Sequence, residues 1–127
     1  MDKFMNYNFN IEEIVVACLV RGELGSITFT NRRSHGLVFY TKESSHFEFD
    51  GVKTLTPNAN EIIYIPKGSN YKSTDLNYAE CYAINFLIDE EIDIKPFCFK
   101  TKNSALFYEL FKNAESSWRH KSNGYEM

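Results

Sequence analysis

The chain has 127 residues, 43% of them hydrophobic, which suits one domain with a real core and excludes a disordered chain. The net charge of −3 gives no basic surplus, so this segment alone is not expected to bind nucleic acid. Three cysteines, Cys18, Cys81 and Cys98, have no framework spacing. No secretory leader and no apolar run of membrane-spanning length are visible, so we expect a cytoplasmic protein with reduced thiols and no membrane partner.

In chain order, residues 1–10 read as an irregular lead-in. Ile11–Val20 reads as a strand buried on both faces or a short buried helix, and its β-branched content favours the strand. Arg21–Gly25 is a turn and Ser26–Thr30 a short edge strand. His35–Thr41 is apolar and β-prone. Ser45–Asp50 alternates, with Phe47 and Phe49 on one face and His46 and Glu48 on the other. Asp50-Gly51 signals a hairpin turn, from which Val52–Thr56 returns as a strand. Pro57–Asn60 turns again, and Glu61–Ile65 is an apolar strand stopped by Pro66-Lys67-Gly68. Strands this short, separated this regularly, predict an antiparallel sandwich or small barrel.

Asn70–Asn77 is polar and reads as a loop. Tyr78–Ile88 reads as a long strand, with Tyr78, Glu80, Tyr82, Ile84, Phe86 and Ile88 on one face. Its other face carries Ala79, Cys81, Ala83, Asn85 and Leu87, and those small residues leave space. Either large residues of a facing sheet fill it, or it stays open for a small molecule. Asp89–Asp93 is an acidic turn, and Ile94–Thr101 holds an edge strand beyond Pro96. Leu106, Phe107, Leu110, Phe111, Ala114 and Trp118 recur at helical spacing, giving a helix over residues 103–121 capped by Asn103 or Ser104. The chain stops soon after, as at a domain boundary.

Chemistry-bearing motifs are sparse. His35, His46 and His120 form no close pair, the cysteines show no metal spacing, and no nucleophile elbow or phosphate-binding loop is present. We therefore expect no catalytic residues, no metal and no cofactor. Tyr40, Tyr64, Tyr71, Tyr78 and Tyr82 lie at or beside strands. They read as ordinary core, with a minority lining a pocket for a polar small molecule with apolar faces.

The run NEIIYIPKGSNY ending at Tyr71 resembles the Pro-x-Gly-x-x-His segment of cupins. Together with RRSHGLVFY upstream, YAINF and the helix ending near Trp118, it resembles the N-terminal sensor domain of AraC-type transcription regulators. The resemblance implies a mainly β, cupin-like double-stranded β-barrel or sandwich over residues 11–101, followed by a C-terminal α-helix. It implies a barrel that binds a small effector, commonly a sugar, a possible homodimer, and DNA binding only through a C-terminal helix-turn-helix domain that this chain lacks. Tyr71 stands where metal cupins have their last histidine, and a single His35 stands near their His-x-His pair. A metal-dependent isomerase or dioxygenase is thus the lesser alternative. The same resemblance places Tyr71, Asn85, Ala83 and Cys81 toward the ligand, and on the first strand of the run His35 and Thr41.

Overall fold

The computed structural model describes residues 11–21, 24–50, 54–76 and 80–120. Its elements are β1 (Ile11–Arg21), β2 (Gly25–Phe29), β3 (His35–Tyr40), β4 (Ser45–Phe49), β5 (Ile62–Ile65), β6 (Tyr71–Asp75), β7 (Glu80–Ile88), β8 (Phe97–Phe99) and one helix, α1 (Ser104–His120). Two antiparallel sheets form. The larger has the order β1-β7-β3-β5-β8 and the smaller β2-β6-β4.

Among the described residues neither sheet closes on itself, so the expected β-barrel is corrected to two separate open sheets. A barrel needs hydrogen bonds that join its first and last strands. Among the described residues β1 pairs only with β7, β8 only with β5 and β2 only with β6, while β4 pairs with β6 and, through one bridge, with Leu55.

Alternation places the core. On the large sheet Val38, Tyr40, Ile63, Ile65, Cys81 and Ala83 meet Phe47, Phe49 and Tyr71 of the small sheet in one buried cluster. The small-residue face of β7 is thus met by rings from the facing sheet, the first of the two outcomes its parity allows. On the opposite face of the large sheet, Phe39, Ile62 and Tyr82 pack against Phe111 of α1. The segment after β7 covers the rest of that face, burying Ile94 against Tyr64. No helix among the described residues is long and apolar enough to cross a membrane.

Two local expectations change. The polar stretch read as a loop holds β6, the central strand of the small sheet, paired on both sides from Tyr71 to Asp75. The returning strand Val52–Thr56 reduces, among its described residues, to a single bridge between Leu55 and Phe47, closed by N–H···O bonds of 2.8 and 2.9 Å. The two residues before the long strand, Tyr78 and Ala79, lie outside the described residues.

Candidate functional site

The polar centre of the molecule is Arg32, in the turn that leads into β3. Its side chain runs inward over Gly36. A Cβ at Gly36 would stand 2.7 Å from Nη2 and 2.9 Å from Cζ, so the bare backbone is what admits the guanidinium. Nε donates to the Tyr71 hydroxyl at 3.1 Å, and Nη2 donates to Asn85 Oδ1 at 2.7 Å. Nη1 donates to the Ser34 carbonyl at 2.6 Å and to its hydroxyl at 3.3 Å.

One side chain therefore ties the small sheet, through Tyr71, to the large sheet, through Asn85. Every acceptor is neutral, and among the described residues no carboxylate pairs with Arg32. One N–H of Nη2 has no acceptor there. The Tyr71 hydroxyl accepts from Arg32 and keeps its own proton to donate.

The rings beside this network are layered. Phe29 stacks on Tyr71 with centroids 4.8 Å apart, and Phe49 meets Tyr71 at 5.0 Å. Phe29 pairs directly with Tyr71 across the ladder, so both lie on the inner face, and Ile27 shares it by alternation. Yet Ile27 is 62% exposed and Phe29 39%. Among the described residues the space between the sheets is uncovered along β2.

The residues expected at the site divide into two sets. Tyr71, Cys81, Ala83 and Asn85 sit on the inner side, the first three in the shared core and Asn85 on Arg32. His35 stands on the other face of the large sheet, against Tyr64 and Phe86, because β3 turns its even-numbered residues inward. The inward orientation expected for His35 is thereby corrected. Thr41 follows β3, half-buried, at the opposite end of that strand. Arg32 itself escaped the sequence reading. Its one signal was Gly36 inside an apolar strand, where glycine marks a close approach.

His35 is 5% exposed. The Lys67 backbone N–H reaches its Nδ1 at 3.2 Å and can only donate, so Nδ1 carries the lone pair. The Tyr64 hydroxyl, 2.9 Å away, donates to the same nitrogen. Burial, then the charges of Lys67 and Arg32, hold His35 below the usual histidine range. Burial pushes Tyr64 up to about 12. Among the described residues no three His, Cys, Asp or Glu side chains group to hold a metal ion. Neither Cys81 nor Cys98 forms a disulfide among the described residues, and the Cys98 thiol is pushed up to about 12 by burial and the charge of Glu61.

No protein-family model matches this sequence, and no curated protein matches it. Among solved structures it is similar to ToxT from Vibrio cholerae, an AraC-family regulator, with 10% identity and a TM-score of 0.58. The match covers 76% of this chain and 46% of ToxT, so the chain spans under half the length of that protein. The likeness at this identity is one of fold: a mainly β domain of two antiparallel sheets with a C-terminal helix.

Proposed function

We propose that this chain is the effector-sensing domain of a transcription regulator of the AraC kind, its DNA-binding helix-turn-helix part lying in a separate domain. The effector is a small polar molecule with one apolar face, and carbohydrates are the first class to test. The observation that carries this reading is Arg32, held between the two sheets by neutral groups alone. A guanidinium offers a fixed fork of donors, and oxygen acceptors on a ligand satisfy it. The Phe29 and Tyr71 rings, stacked beside the uncovered inner face of β2, give such a ligand an apolar platform.

The mechanism follows from the bridge. A ligand that takes the Arg32 donors competes with Tyr71 and Asn85, and so changes how firmly the sheets are tied. The larger sheet carries α1 on its outer face, where Phe39 and Tyr82 meet Tyr108 and Phe111. A shift there alters how α1 is presented to the output domain. The ligand drives this only to the extent that it binds one arrangement better than the other.

The test is a thermal-shift and calorimetric screen of neutral pentoses and hexoses, followed by variants. For a sugar that binds, Arg32→Met lowers affinity about 10- to 100-fold, the worth of a charged hydrogen bond. The pair Tyr71→Phe with Asn85→Ala lowers it as well. Binding that survives both sets unchanged removes the site, and a screen without a hit removes the carbohydrate class.

A further inference from the structure

A cleft of about 470 Å³ lies at the end of the large sheet where β3 begins and β5 and β7 end. Its size is in the range of small-molecule sites. Its lining includes Asn31 and His35 around the start of β3, Lys67 after β5, and Asp89, Glu90 and Glu91 after β7. Leu87, Ile88 and Ile92 add apolar surface to the same lining.

His35 makes the cleft more than a charged surface. Its ring is buried to 5% exposure, and Nδ1 is taken by Tyr64 and the Lys67 N–H. In that tautomer Nε2 carries the proton, and among the described residues it has no acceptor. The rest of the ring is buried, so this N–H is the part of His35 open to the cleft, and it can donate to a ligand there. Lys67 likewise has no ion pair among the described residues.

The charge pattern selects the ligand class. A simple anion would meet three carboxylates against one ammonium. A simple cation would be repelled by Lys67 and would leave the His35 N–H unmet. A zwitterion meets the basic and the acidic groups of the lining at once. We infer that this cleft binds a free amino acid with an apolar side chain. Its carboxylate is received by Lys67, His35 Nε2–H and the Asn31 amide, its ammonium by Glu90 and Glu91, and its side chain by Leu87, Ile88 and Ile92. This site is separate from the Arg32 network and stands whether or not that network binds an effector.

L-leucine is the probe, titrated into the full chain to about 10 mM, tenfold above a millimolar Kd, and followed by nitrogen-edited NMR. The expected result is saturable shifts of the Gly68, Glu90 and Ile92 amides and of the His35 ring. N-acetyl-L-leucine, lacking the ammonium, and L-leucinol, lacking the carboxylate, then bind about tenfold or more weakly. Lys67→Met, and Glu90→Gln with Glu91→Gln, each weaken leucine about tenfold. All three side chains are exposed, so these variants keep the fold. Absence of saturable shifts overturns the proposal. So does N-acetyl-L-leucine binding as tightly as leucine, which would mark a plain anion site, or leucine affinity unchanged in the variants.

Discussion

At the residue scale, Arg32 and Gly36 are one feature. The guanidinium occupies the volume in which a side chain at Gly36 would begin, with Nη2 2.7 Å from that Cβ position. Gly36→Ala therefore displaces Arg32 from Tyr71 and Asn85, and we expect it to cost about 1–3 kcal/mol of stability. In an Arg32→Ala background the new methyl meets no guanidinium, and the same substitution costs much less. A double-mutant cycle by urea denaturation should give a coupling of about 0.5–3 kcal/mol. Additive costs would mean that the two positions do not share that space. The pairing was hidden in the sequence because an arginine in a polar turn reads as a solvated charge. Only the fold brings residues 53 apart, Arg32 and Asn85, within hydrogen-bond distance.

At the scale of elements, the sequence was most legible where side chains carry the period. The rows Phe47/Phe49 and Cys81/Ala83/Asn85 face inward as their alternation requires. The helix begins at the expected cap: Asn103 Oδ1 accepts the Leu106 N–H at 3.1 Å. Within α1 the six recurring apolar residues divide. Phe111 is buried and Phe107 packs near it, while Leu106 and Leu110 are each 50% exposed. The strand β6 was illegible, since Lys72, Ser73, Thr74 and Asp75 show no apolar alternation. It is a strand because β2 and β4 satisfy its backbone from both sides. The cap gives a direct check. Asn103→Ala should cost about 1 kcal/mol and lower the Tm by about 4 °C, whereas Asn103→Asp keeps the acceptor and suits the helix dipole. Equal losses for Ala and Asp would show that the side-chain oxygen does not hold the first turn.

At the scale of the whole molecule, closure was the feature the sequence could not convey. Which edges meet is decided by backbone N–H and C=O groups, and these are alike in every residue but proline. The open arrangement leaves the two faces of the large sheet with different interiors, one shared with the small sheet and one under α1 and the segment after β7. His35 belongs to the second, and it makes the stability of the entire fold depend on pH. Its folded pKa is lowered, chiefly by burial and further by Lys67 and Arg32, while in the unfolded chain it returns to about 6.5. Tyr64 faces it as a neutral donor, and Asp89, Glu90 and Glu91 line the same cleft as His35. As the pH falls through about 6.5, the unfolded chain takes up a proton that the folded chain does not, so stability falls with it. The loss runs down to the lowered folded pKa and is absent at higher pH. Melting curves across this range should show a declining Tm, and the decline should be shallower in His35→Gln. If His35→Gln kept the full slope, the proton that links folding to pH would bind elsewhere, and the buried imidazole would be no more than a packed ring on Tyr64 and Phe86.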